Sequence, residues 1–277
     1  MDKIEEVLNY IVLKTDTELL KSRVKTFYKK EPEMLEWLNF FAKQSIELFF
    51  DVGANIGLYS LFWQNLDSKN LAIAFEPNPS NYKFIQKLIK KFKLNIIVEK
   101  CPCDSVSKPF TIKECGLSIG ESKFKYDSGE FEKARITTTT IDNFTEINKI
   151  SKPYILKIDV DGKDFDVLRG AVKSLNNKQI VSVDIELDLD AVQQVDDFLA
   201  GHGLSPDLRF NYLPTNSRYW RRKRNKSVIN RIYSIAEFQP TFVNKIVLLI
   251  LYSFKRVKIN ARNYLIRNLS QLNRNLN

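Results

Sequence analysis

The stretch Asp51-Val-Gly-Ala-Asn-Ile-Gly-Leu-Tyr-Ser60 constrains the fold of this chain more than any other. It follows the apolar run Leu48-Phe49-Phe50 and leads into a helical pattern, so it reads as strand, tight glycine turn and helix. Glycine lets bare backbone approach a ligand, and in open α/β sheets that approach lies beyond the carboxyl ends of the strands. A second apolar run, Leu71 to Phe75, ends in Glu76-Pro77-Asn78-Pro79. A carboxylate accepts through two oxygens and donates through none, which suits the two hydroxyls of a ribose. Together the motifs point to a nucleoside-bearing cofactor, with Asp51, Gly53, Asn55, Gly57, Glu76 and Asn78 as candidates to hold it.

A dinucleotide site carries three glycines and rests a pyrophosphate on a helix N-terminus. Here two glycines stand, Gly53 and Gly57, with Asn55 between them. Asparagine tolerates the left-handed backbone better than most residues and can replace a turn glycine. Asp51 at the strand end would repel a phosphate but attract an ammonium or a sulfonium. S-adenosylmethionine carries both cations and no phosphate, so charge favours it over NAD or FAD.

Residues 156–171 read Leu-Lys-Ile-Asp-Val-Asp-Gly-Lys-Asp-Phe-Asp-Val-Leu-Arg-Gly-Ala. With the two earlier motifs, this stretch resembles the FkbM family of S-adenosylmethionine-dependent methyltransferases, whose pattern is L-K-I-D-V-E-G-x-E-x-E-V-L-x-G-A. The resemblance covers roughly residues 45–205, with three motifs in the family's order. Each glutamate of the pattern is an aspartate here, at Asp161, Asp164 and Asp166, so charge is kept and reach shortens by a methylene. The resemblance implies a Rossmann-like class I methyltransferase fold, α/β, with a seven-stranded mostly parallel sheet and helices on both faces. The implied strand order is 3-2-1-4-5-7-6, the last strand antiparallel. By the same resemblance Asp51 and Gly53 hold the methionine part and Glu76 the ribose. The adenine then lies near Asp104 or Ser105, although a plain surface turn is an equal reading of that Cys-Pro-Cys neighbourhood.

Helical spacing of apolar residues predicts helices over 3–14 and about 32–43. Strands and helices then alternate, as a parallel sheet covered by helices requires. Strands are expected at 47–51, 71–76, 95–100, 154–159 and 179–186, and helices at 56–66, 79–92, 141–149, 163–176 and 189–201. Residues 105–140, rich in Ser, Lys, Gly and Thr, interrupt the rhythm as a β-hairpin insertion, and residues 204–235 supply the last two strands. The expected division is an N-terminal helical cap (1–45), a methyltransferase domain (46–236) and a basic apolar helical tail (237–277).

Lys157, Asp159 and Asp161 alternate and so share a face while the strand lasts; Ser182, Asp184 and Glu186 do the same on the next strand. Acids gathered at two strand ends are expensive unless solvated, paired or catalytic. An oxygen acceptor needs its proton removed, and a carboxylate base, Asp159 or Asp161 tuned by Lys157, is the expected device. Asp159, Asp184 and Glu186 could instead hold a divalent cation, which the sequence leaves open. The single histidine, His202, sits in Ala-Gly-His-Gly and reads as a helix terminus.

The net charge of +10 is uneven: from Arg218 onward there are 14 Lys or Arg against one acid, Glu237, while residues 1–217 carry 29 bases and 32 acids. The run 218–226 and the acid-free segment 241–277 suit an anionic membrane surface, packing on the domain, or a homo-oligomer contact. Nucleic acid is disfavoured, because no RNA-binding module is recognisable. The N-terminus lacks a signal-peptide pattern, and the longest apolar run, Ile246 to Tyr252, is too short to span a bilayer. The three cysteines, Cys101, Cys103 and Cys115, form no metal pattern, and a cytoplasmic protein is expected. The expected function is O-methylation of a sugar hydroxyl in a surface glycan or glycolipid precursor. A polyketide-type small-molecule acceptor, or a non-catalytic module retaining the cofactor pocket, are the alternatives.

Overall fold

Short apolar strands followed by amphipathic helices dictate the architecture seen in the computed structural model, which describes residues 3–15, 17–113, 119, 133–160, 162–211 and 228–240. The strands are β1 (Leu48–Val52), β2 (Leu71–Phe75), β3 (Ile96–Glu99), β4 (Pro109–Lys113), β5 (Lys133–Thr137), β6 (Tyr154–Ile158), β7 (Ile180–Asp188), β8 (Leu204–Pro206) and β9 (Val228–Ile235). The helices are α1 (Lys3–Lys14), α2 (Glu18–Lys30), α3 (Pro32–Lys43), α4 (Leu58–Leu66), α5 (Pro79–Phe92), α6 (Ile141–Ile147), α7 (Asp164–Arg169), α8 (Val172–Asn176) and α9 (Val192–Gly201). Seven strands form one sheet in the order β3-β2-β1-β6-β7-β9-β8, with β9 antiparallel to both neighbours and the remaining pairs parallel. This is the class I methyltransferase order that the sequence implied. β4 and β5 form a separate antiparallel pair within the expected insertion.

Alternation along each strand divides the core between the two faces. Phe49, Ala72, Ala74 and Ile155 pack with residues of α1 to α5, whereas Phe50, Ile73, Phe75 and Leu156 pack with residues of α6 to α9. One row breaks the apolar pattern: Asp51, Lys157 and Asp184 stand in register on β1, β6 and β7. Their parity places them on the face covered by α3 and α4. Trp37 of α3 donates to Ser182, two residues before Asp184, at 2.8 Å.

Two local features depart from expectation. α2 was not predicted: its charged surface hides a sparse apolar stripe, Leu20, Val24 and Phe27, all buried. The helix expected over 163–176 is broken into α7 and α8 at Gly170, where a Cβ would lie 2.3 Å from the backbone oxygen of Asp104. The chain must turn there to admit that loop. Asp161, Cys115 and the basic segments 218–226 and 241–277 lie outside the described residues. No helix among the described residues is long and apolar enough to cross a membrane.

Candidate active site

The sheet order reverses between β1 and β6, and the loops leaving their carboxyl ends form the candidate site. Three residues of the first loop have positive φ: Gly53 at 78°, Asn55 at 55° and Gly57 at 76°. A Cβ on Gly53 would sit 1.9 Å from the backbone oxygen of Asp159, so this turn is pressed against the end of β6. The amides of Gly53 and Ala54 both donate to Phe75 O, at 3.1 and 3.2 Å, which binds the turn to the tip of β2. There Glu76 accepts the amide of Asn55 at 2.7 Å through Oε2 and that of Asn78 at 2.8 Å through Oε1. The Asn81 side chain hydrogen-bonds to the same carboxylate, which with two lone pairs per oxygen keeps room to accept from a ligand hydroxyl. Burial pushes Glu76 up to about 7, against the downward pull of those amides.

Asp51 was expected to attract the cofactor's cation, and in the structure it has a protein cation beside it. Its carboxylate is fully buried between β1 and α4, accepting from Ser60 Oγ at 2.7 Å and pairing with Lys157 Nζ at 3.2 Å. Lys157 also reaches Asp159 at 3.7 Å and lies 5.6 Å from the centre of the Tyr59 ring. Burial acts to lower its pKa, yet Asp51, Asp159 and Asp184 hold it above the ordinary lysine value. The ammonium is therefore permanently charged.

Asp159 is the accessible member of this group, its side chain 41% exposed. Burial works to raise it, but Lys157 and Lys30 outweigh that and keep its carboxyl below the usual range. Glu186 on β7 hydrogen-bonds to Asp159 and is pushed up to about 8, first by burial and then by the Asp159 and Asp164 charges. Asp184 is driven well above the carboxylate range by burial and by Glu31. Asp164 accepts the amides of Val160 at 2.9 Å and Gly162 at 3.2 Å, so it shapes the loop after β6. Two acids that sequence reasoning missed complete the group: Glu31, which bonds Lys30 and the Tyr59 hydroxyl, and Glu33 at the start of α3. Their only signal was the Lys30-Glu31-Pro32-Glu33 break between two helices. Among the described residues no group of three or more His, Cys, Asp or Glu side chains is placed to hold a metal ion.

The model of the methyltransferase FkbM domain matches residues 51–210, which span β1 through the turn after β8. The chain belongs to that family. A similar protein is the hexuronic acid methyltransferase AglP of Haloferax volcanii, 24% identical over 144 residues, covering 52% of this chain and 58% of AglP. The match thus spans less than two thirds of that relative. Among solved structures, the precorrin-6y C5,15-methyltransferase of Geobacter metallireducens GS-15 is 14% identical, with 72% of this chain and 83% of that one covered and a TM-score of 0.36. The ribosomal protein L11 methylase of Lactobacillus delbrueckii subsp. bulgaricus is 10% identical, with coverage of 73% and 76% and a TM-score of 0.39.

Within this FkbM domain the remaining candidates have structural occupations. Asn78 caps α5, its side-chain oxygen accepting the amide of Ser80 at 2.9 Å. Asp104 pairs with Lys108 at 2.7 Å and accepts the amide of Ser105 at 2.6 Å. Burial tends to raise that carboxyl, and these contacts pull it lower. His202 caps α9, with Nδ1 2.8 Å from Phe198 O.

Proposed function

We propose that this chain is an S-adenosylmethionine-dependent O-methyltransferase acting on a sugar hydroxyl. The observation that carries the cofactor is Glu76, fixed by two backbone amides beside a glycine turn too tight to accept a Cβ. The residues fit the group: Glu76 keeps the capacity to accept from a ribose hydroxyl, and the Gly53–Gly57 turn offers bare backbone to the methionine part. When bound, S-adenosylmethionine supplies an electrophilic methyl group. Asp159 takes the proton of the acceptor hydroxyl, a role open to it because its carboxylate is ionised and exposed. Lys157 holds Asp159 in that state, and Asp51 with Ser60 holds Lys157. A positioned base of this kind contributes about 10²–10⁴-fold.

Sugar as the acceptor is supported by the name of the Haloferax relative and by the hydrogen-bonding carboxyls around Asp159. The test is calorimetry with S-adenosylhomocysteine, followed by methyl transfer to a panel of glycans and nucleotide sugars. Binding with sugar methylation is expected. Absence of binding sinks the assignment, and binding with transfer only to polyketide-type phenols replaces the acceptor.

A further inference from the structure

Lys157 is the pivot of the proposed mechanism, and two carboxylates compete for its ammonium. Asp51 is the nearer at 3.2 Å and Asp159 the farther at 3.7 Å. A lysine ends in a point charge on a flexible four-carbon stem, so the stem alone does not fix its place. The first turn of α4, directly after the glycine turn, supplies two contacts that do. Ser60 Oγ donates to Asp51 at 2.7 Å and holds one carboxylate. Its neighbour Tyr59 meets the ammonium itself: the ring centre lies 5.6 Å from Nζ, close enough for an aromatic face to attract a cation.

Tyr59 is in turn anchored from outside the family domain. Its hydroxyl donates to Glu31 Oε2, and its ring lies 5.5 Å, centre to centre, from that of buried Phe27. Phe27 belongs to α2, and Glu31 is the residue between α2 and α3, its side chain 14% exposed. Glu31 also pairs with Lys30 at 2.7 Å, which tethers its carboxylate a second time. The contacts run from Glu31 to Tyr59, from Tyr59 to Lys157 and from Lys157 to Asp159. They cross from residues before position 51 into the matched span 51–210.

We infer that Tyr59 is a positioning residue for methyl transfer, fixing the Lys157 ammonium between Asp51 and Asp159, and that Glu31 sets Tyr59. The inference rests on Asp159 as the base of the proposed reaction. It gives the N-terminal helices a part in catalysis, because the residue joining α2 to α3 decides where Lys157 stands. Phenylalanine at position 59 would keep the ring and lose its anchor, and leucine would lose both.

Two readouts test this, and one needs no acceptor. In full-length protein with isotope-labelled lysines, the Lys157 ammonium signal is followed by heteronuclear NMR and assigned by its loss in Lys157→Arg. An ion-paired side chain only 4% exposed exchanges its ammonium protons slowly. Tyr59→Leu should speed that exchange about tenfold and Tyr59→Phe about threefold, within the span of a cation–aromatic contact. With the acceptor found on the glycan panel, kcat should fall by about the same factors, while the acceptor KM and the calorimetric affinity for S-adenosylhomocysteine stay within about twofold. Glu31→Ala should match Tyr59→Phe, and the double variant should be no worse than either, since both break one contact. The S-adenosylhomocysteine affinity also reports folding; where Tyr59→Leu loses it, Tyr59→Phe and Glu31→Ala carry the test. An ammonium signal unchanged by Tyr59→Phe, wild-type kcat in the Tyr59 variants, or additive losses in the double variant overturns the inference. Should the wild type methylate nothing on the panel, the ammonium readout still decides the positioning, and that failure falls on the proposed function alone.

Discussion

The tips of β1 and β2 and the tips of β6 and β7 are built on opposite plans. At the first pair, backbone amides do most of the holding: Glu76 accepts from Asn55 and Asn78, and Phe75 O from Gly53 and Ala54. At the second, side chains from α2, α3, α4, β6 and β7 crowd acids together and leave Glu33 and Asp184 with unpartnered oxygens. A backbone cradle suits a ligand of fixed shape, since it is rigid and preorganised. A side-chain cluster can be retuned without disturbing the sheet. Under the proposed function, the difference is that between a site for a common cofactor and a site for a particular acceptor.

The sharpest way to break this contrast is at Asp159, which stands between the two edges. Asp159→Asn should lower kcat by about 10²–10⁴-fold, the usual worth of a positioned base. Calorimetric affinity for S-adenosylhomocysteine should stay near the wild-type value. Wild-type turnover in the variant would move the base to another residue. On the cofactor side the largest effect belongs to Gly53→Ala. The positive φ alone costs about 1–2 kcal/mol for a residue with a Cβ, and the clash with Asp159 O forces backbone movement of a further 1–3 kcal/mol. Cofactor affinity should fall by at least about a hundredfold, and the same substitution at Gly162, whose φ is also positive (91°) but where a Cβ meets nothing, separates backbone strain from the clash.

The contrast also explains what could be read in advance. The glycine turn and Glu76 are local: each is written in a few consecutive residues, and a motif suffices to place them, while the sheet order came with the family resemblance those motifs carry. The acid-rich edge is assembled from α3 and β7, which meet through Trp37 and Ser182, and no periodicity reports a contact between residues so far apart. The ion pair of Asp51 was out of reach for the same reason. Its place at the strand end was legible, but its partner Lys157 stands on the neighbouring strand, at 3.2 Å. α2 was missed because Leu20, Val24 and Phe27 give one apolar residue per turn amid lysines, too thin a stripe to stand out from a loop.

A smaller effect tests how Glu76 works. Glu76→Gln should weaken S-adenosylhomocysteine by about 10–100-fold, the loss of hydrogen bonds to a charged acceptor. In the wild type, affinity should rise as pH goes from 6 to 8, because burial holds the free carboxyl at about 7 and the ionised form is the better acceptor for a ribose hydroxyl. In the Gln variant that pH dependence should vanish. A pH-independent wild type would mean that Glu76 does not meet the ribose.

The last test compares two buried glutamates with the same shifted titration but different partners. Burial pushes Glu33, like Glu76, up to about 7. Above the ordinary carboxylate value near 4.5, the native state keeps a proton that the unfolded chain releases, so stability falls as pH rises through the window from about 4.5 to 7. Glutamine carries no such proton. Glu33→Gln should therefore match the wild type at pH 5 and exceed it at pH 8 by about 1–2 kcal/mol, a few degrees in Tm. Glu76→Gln, over the same range, should lose stability at both pH values. Its amide can accept from only one of the two backbone donors and turns an NH₂ toward the other, so relief of a buried charge is outweighed by a broken cradle. Equal gains in the two variants would mean that burial alone governs both edges, and that the partners around Glu76 do not distinguish it.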